Sequence, residues 1–229
     1  IDTGFGEYIF VEETKYKVLT GVARLTKDGQ SVSGDTFSMI NLPSGELLMA
    51  LSDGMGSGTS AFDDSKNVIE LLEQMSEAGF SQTSAIRLIN SLYMSDQEFE
   101  NYATLDISLI NLYKGECSFL KNGAVGTYVL NQGKMYCIEG QSLPMGVVSD
   151  AEPYIGKMSL YPGDYVIMMT DGVADMFSQE RYNLEKFIKQ IEIVNPGDMA
   201  QAIVDEAVSR NKGAVSDDMS VIVAGVWEN

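Results

Sequence analysis

Apolar residues along this chain fall mostly into short runs of strand length, interrupted in two places by longer stretches with helical spacing. Val18 to Arg24 reads as a strand, and Thr36 to Asn41 and Leu47 to Ser52 flank the turn Leu42-Pro43-Ser44-Gly45, so these two predict a hairpin. Asp106 to Leu112 and Glu116 to Leu120 lie either side of Tyr113-Lys114-Gly115. Tyr128 to Leu130 and Lys134 to Ile138 lie either side of Asn131-Gln132-Gly133, which gives two further hairpins. Tyr154 to Leu160, Tyr165 to Thr170 and Ser220 to Val226 complete the strands, with Pro162-Gly163-Asp164 turning the first of these into the second.

Helical periodicity appears at Val68, Ile69, Leu71, Leu72 and Met75, and after Gly79 at Ala85, Ile86, Leu88, Ile89 and Leu92. A second helical pair covers Leu184 to Ile193 and then Met199, Ala202, Ile203 and Ala207. Asn195 stands as its N-cap, Pro196 at the first helical position and Asp198 in the first turn. Hairpins interrupted by two helical pairs predict an α+β layered domain with antiparallel sheets, not a doubly wound parallel sheet. No repeat or long Pro/Gly/Ser linker divides the chain. Residues 1–17 read as an opening strand or tether and residues 18–229 as one domain.

Composition narrows the chemistry. The formal charge of -18, from 33 acidic and 15 basic side chains, disfavours nucleic acid and anionic membrane as partners and favours divalent cations. No run is long enough to span a bilayer. Because the chain begins with Ile, it reads as an excised piece, and that absence says nothing of a longer parent. Cys117 and Cys137 have no metal-type spacing and are expected as core thiols in a reducing compartment. The chain has no histidine, which removes imidazole zinc sites and the Ser-His-Asp and Cys-His schemes together. Any chemistry must run on carboxylates.

Two segments match in form: the apolar run Leu47 to Leu51 entering Ser52-Asp53-Gly54, and Tyr165 to Met169 entering Thr170-Asp171-Gly172. A nearly unbroken apolar strand is buried on both faces, so each aspartate emerges at the edge of a low-dielectric core, where an uncompensated carboxylate is costly. Asp-Gly can equally close an ordinary turn, but two matching occurrences on buried strands weaken that reading. Asp35 precedes the strand at Thr36, and Asp217-Asp218 precede the last strand. If these groups converge, cations must compensate them, and oxygen-only ligands select magnesium or manganese over zinc. The loop Asp53 to Ser60 carries glycines suited to positive φ and close backbone approach. It lacks the Lys-Ser/Thr ending of a phosphate-binding loop and the ligand spacing of an EF-hand.

The order Gly34-Asp35, Ser52-Asp53-Gly54-Met55-Gly56, Thr170-Asp171-Gly172, Asp217-Asp218-Met219-Ser220 resembles the PP2C-type (PPM) phosphatases, and most closely their sporulation stage II E branch, over about residues 18 to 227. The resemblance implies a four-layer α-β-β-α sandwich with two central antiparallel sheets and a site for two Mn2+ or Mg2+ ions at one edge. It implies that Asp53 bridges both metals, that the Gly54 carbonyl and Asp35 serve the second, and that Asp171 and Asp217 complete the first. Asp218, a further metal-site residue by the same resemblance, stands where the family often has Asn, which adds a charge there. The implied reaction is hydrolysis of a protein phosphoserine or phosphothreonine by a metal-activated water, Asp53 and Asp171 being the catalytic pair.

The branch further implies an anti-anti-sigma factor as substrate and a cytoplasmic domain of a membrane-anchored parent, without membrane contact by this segment and with homodimerisation open. It associates the helix pair Asn67 to Leu92 with switching, although Val68, Leu72 and Met75 read equally as core. The Arg that many members carry before the first acidic motif is missing from Gly29 to Ser33. Arg24 and Lys27 are the neighbouring cations, with surface solvation the plainer reading. Rival readings are a catalytically silent phosphoprotein-binding scaffold of the same fold and an acidic calcium-binding module.

Overall fold

The computed structural model describes residues 12–95, 102–149, 152–177, 182–192 and 194–229. Most of the opening segment (residues 1–11) and Ile193, the expected end of a helix, lie outside these. The strands are β1 (Tyr16–Leu25), β2 (Asp35–Leu42), β3 (Glu46–Asp53), β4 (Leu105–Asn111), β5 (Glu116–Asn122), β6 (Thr127–Asn131), β7 (Lys134–Ile138), β8 (Tyr154–Ser159), β9 (Tyr165–Met169) and β10 (Met219–Glu228). The helices are α1 (Thr59–Glu77), α2 (Gln82–Ser95), α3 (Asp171–Phe177), α4 (Tyr182–Gln190) and α5 (Pro196–Arg210).

The strands form two five-stranded sheets, in the orders β1-β10-β9-β6-β7 and β2-β3-β4-β5-β8, with antiparallel pairing throughout. Period-two alternation on the buried strands explains the layering. Leu47, Met49 and Leu51 of β3 meet Val166 and Met168 of β9 in the core between the sheets. Leu48 and Ala50 face the other way, onto Val68, Leu72, Ile86 and Ile89 of α1 and α2. Ile167 and Met169 of β9 pack against Met199, Ile203 and Ala207 of α5, with Leu184 and Ile188 of α4 in the same cluster. The result is the expected four-layer α-β-β-α sandwich. Asn195 caps α5 as its sequence foretold, accepting from the N–H groups of Gly197 and Asp198.

Two local expectations are corrected. Cys117 is fully buried, but Cys137 is exposed, because β7 is the outermost strand of its sheet. Pro162-Gly163-Asp164 does not close a hairpin: β8 pairs with β5 and β9 with β10 and β6, so this turn hands the chain from one sheet to the other. Asp164 anchors the handover by accepting from the Tyr161 N–H, the Gln132 N–H and the Asn131 amide. Asp171-Gly172 opens the short helix α3, so the alternative reading of this Asp-Gly as an ordinary turn does not hold there.

Candidate metal centre

The five aspartates arrive at one edge of the sandwich, where β2 and β3 of one sheet meet β9 and β10 of the other. Strand register places Asp35 directly opposite Asp53. Thr170, just past the end of β9, then links the two sheets: its hydroxyl donates to Asp35 Oδ2 at 3.0 Å and accepts from the Ser220 N–H at 3.0 Å. Thr104 fixes Asp53 from the other side, its hydroxyl accepting from the Asp53 N–H at 3.0 Å and its own N–H donating to the Asp53 carbonyl.

Both glycines of the twin Asp-Gly motifs are required by close approach, not by backbone sign. A Cβ on Gly54 would lie 1.9 Å from the carbonyl oxygen of Ala61 in the first turns of α1, and one on Gly172 would lie 2.2 Å from the carbonyl oxygen of Asp218. Gly56 and Gly58 supply the positive φ, at 103° and 78°, that the loop into α1 needs.

The electrostatics are those of crowded acids. Burial, then the neighbouring charges of Asp35, Asp171 and Asp217, pushes Asp53 up to about 9. Burial likewise raises Asp35 to about 7, against the lowering effect of the nearby Ser220 and Thr170 hydroxyls. Asp171, open at the cleft mouth, is raised by partial desolvation and then by Asp217. Asp35 Oδ1 is buried without a hydrogen-bond partner.

Asp217 and Asp218 divide their work. Asp218 is 5% exposed and both its oxygens are engaged, Oδ1 by the Lys27 N–H at 2.9 Å and Oδ2 by the Gly34 N–H at 2.8 Å. Asp217 keeps a side chain 50% exposed, with Lys27 Nζ 3.5 Å from its Oδ1. A cleft of about 200 Å³ opens between Asp53, Asp171 and Asp217, with Gly54, Met55, Gly56, Tyr102 and Pro144 on its walls. Arg24 points instead to the Ser33 carbonyl.

Among the described residues no three acidic, Cys or His side chains form a ready-made cage. What converges is a looser oxygen set in which an orphaned buried carboxylate oxygen and raised acids await positive charge. That donor set fits Mg2+ or Mn2+, which bind through few carboxylates and retain several waters, and does not fit zinc. The sequence reading missed Thr170 and Thr104. The signal for Thr170 lay in plain view as the hydroxyl preceding Asp171, but its partner Asp35 is distant in the chain.

The fold and site define a PP2C-type phosphatase domain. Residues 43–227 match the family described as Stage II sporulation protein E (SpoIIE), and the chain belongs to that family. It is 32% identical over 229 residues to Stage II sporulation protein E of Bacillus subtilis (strain 168), covering 99% of this chain and 28% of that protein. It is 35% identical over 217 residues to that of Priestia megaterium, covering 93% and 37% respectively. The chain thus spans about a third of the length of these relatives. The solved PP2C phosphatase domain of SpoIIE from Bacillus subtilis, with a fragment of its regulatory domain, superposes with a TM-score of 0.87 at 31% identity, over 95% of this chain and 64% of that one. The same fold, at 18% identity and a TM-score of 0.75, occurs in the catalytic domain of the serine/threonine phosphatase PstP, solved with two manganese ions, over 93% of this chain and all of that one.

Proposed function

We propose that residues 18–229 form a metal-dependent protein serine/threonine phosphatase domain whose metal ligands are Asp35, Asp53, Asp171 and Asp217 with the Gly54 carbonyl. The observation that carries this reading is the meeting of Asp53, Asp171 and Asp217 around a single cleft, with the buried Asp35 paired to Asp53 directly behind it. Asp218 acts as a staple for the Lys27 and Gly34 backbone, since both its oxygens are already committed.

Two bound Mg2+ or Mn2+ ions would supply an acidified water and neutralise the phosphoryl oxygens. The chain's own part is placement. Asp53 ends the buried strand β3, and Asp171 opens α3 just beyond the buried strand β9, so both are carried by backbone fixed in the core. Lys27 sets one positive charge at the rim, beside Asp217. The cleft is open enough to admit a phosphorylated side chain presented by a folded protein. The membership of the SpoIIE family supports a phosphorylated anti-anti-sigma factor as the substrate and a larger membrane-anchored parent as the setting.

The test is Mn2+-dependent hydrolysis of p-nitrophenyl phosphate by the domain, with Asp53→Ala and Asp171→Ala each expected to abolish it. Activity surviving both substitutions would overturn the metal assignment. Assay against a phosphorylated anti-anti-sigma protein, with Mn2+ and with chelator, separates the substrate question from the catalytic one.

A further inference from the structure

Behind the cleft the sandwich buries a second charged group that the site described above leaves unused. Lys121 of β5 is 0% exposed and Asp106 of β4 is 2% exposed, and register sets them face to face. The Lys121 ammonium donates to Asp106 Oδ2 at 2.6 Å, to the Val125 carbonyl at 2.6 Å and to the Thr127 hydroxyl at 2.8 Å, which uses all three of its hydrogens. Thr127 in turn donates to the same Asp106 oxygen at 2.6 Å. A buried ion pair of this kind is weak support for stability, because the desolvation cost of each ion is several kcal/mol.

Its geometry suits another purpose. Asp106 Oδ1 is buried and has no hydrogen-bond partner. Asp106 lines a cavity of about 30 Å³ together with Asp53, Thr104, Val125, Thr170 and Asp171. That is room for one or two waters, each of which needs ~10–15 Å³ and polar partners. A water there would have Asp106 Oδ1 as one acceptor and the lining carboxylates of Asp53 and Asp171 as others. Lys121 also clamps the segment from Gly123 to Gly126, which carries the chain from one sheet to the other and contributes to the wall of the cavity.

We propose that Asp106 is a positioning residue of the metal centre, acting on Asp53 and Asp171 through ordered water in this cavity, and that Lys121 holds it in place. The inference rests on the metal-centre reading. Outer-sphere partners of this kind typically govern metal affinity by ~10–100-fold.

The decisive variant is the double change Asp106→Leu with Lys121→Met, which removes both charges at near-constant volume and leaves the net charge of the site region unaltered. Its melting temperature in chelator should equal or exceed that of the wild type. Its Kd for Mn2+, measured by titration calorimetry, should rise by about 10-fold or more. A stably folded double variant with the wild-type Kd would overturn the proposal, because the pair would then be scaffold alone. Should that double variant fail to fold, Asp106→Asn with Lys121→Gln decides. It keeps the shapes and a polar contact between the two positions while leaving no buried charge unpaired, and is expected to weaken Mn2+ binding by about 10-fold as well; unchanged binding overturns the proposal. If the wild type itself binds no Mn2+, the metal-centre reading fails and this inference with it.

Discussion

Replacing Thr170 by valine tests whether the seam between the sheets is held as described. Valine keeps the β-branched shape at a position only 4% exposed, so packing is preserved while two hydrogen bonds disappear. One is the donation to Asp35 Oδ2, the other the acceptance from the Ser220 N–H. A hydrogen bond to a charged group contributes about 1.5–3 kcal/mol, and a buried donor left alone costs about 1–3 kcal/mol. Allowing for relaxation, Thr170→Val should destabilise the chelated protein by about 2–4 kcal/mol at pH 8, which lowers the melting temperature of a domain this size by ~4–16 °C. At pH 5.5, below the value of about 7 to which burial raises Asp35, the carboxyl is mostly neutral and the loss should shrink. Circular-dichroism melts in chelator at the two pH values measure both numbers, with Thr170→Ser as the control that retains the hydroxyl. A melting temperature within 2 °C of wild type at both pH values, on the order of the shift expected from ~1 kcal/mol or less, would refute the bridging role.

The raised acids give a pH signature. In chelator, stability contributed by Asp35 and Asp53 should be fully present below pH 3.8 and fall as pH rises through about 7 and then about 9, because the folded state holds the extra protons. Melts from pH 5 to 9.5 should show this decline, and Mn2+ should flatten it. Gly172→Ala should lower stability by about 3 kcal/mol or more and weaken Mn2+ binding in calorimetry, since its Cβ would meet the Asp218 carbonyl at 2.2 Å. Asp164→Ala, at the opposite end of β9 from Asp171, should cost about 2–4 kcal/mol by stripping the Tyr161 and Gln132 N–H groups of their acceptor, yet leave the Kd for Mn2+ unchanged.

The hairpins, the helical pairs and the twin buried strands were legible because each is a local pattern. Apolar alternation, a Pro or Gly at a turn and a cap such as Asn195 act over a few residues. The partnership of Asp35 with Asp53 was half legible, since the hairpin register follows from its turn. The rest depended on which sheet a strand joins. Nothing local distinguishes a turn that closes a hairpin from one that changes sheets, as Pro162-Gly163-Asp164 does. Asp-Gly reads as a turn whether or not a helix such as α3 follows. Lys121, a charged residue at the end of a strand, reads as solvated. Counting back from the turn at Tyr113 to Gly115 would have set it opposite Asp106, but only the docking of the second sheet buries the pair.

The candidate ligands belong to different sheets: Asp35 and Asp53 to one, Asp171 and Asp217 to the other. Neither sheet alone carries the full set of candidate ligands. The centre is therefore complete only once the layer of Leu47, Met49, Val166 and Met168 has closed between the sheets. Contacts between residues as far apart as Gly34 and Asp218 are slow to form, because the chain loses loop entropy before they reward it. Divalent cations should then act chiefly on the unfolding rate, holding shut a seam that has already closed. If the proposed function holds, a nascent or damaged chain with its sheets parted would be inert, so that hydrolytic competence and structural integrity would be lost together.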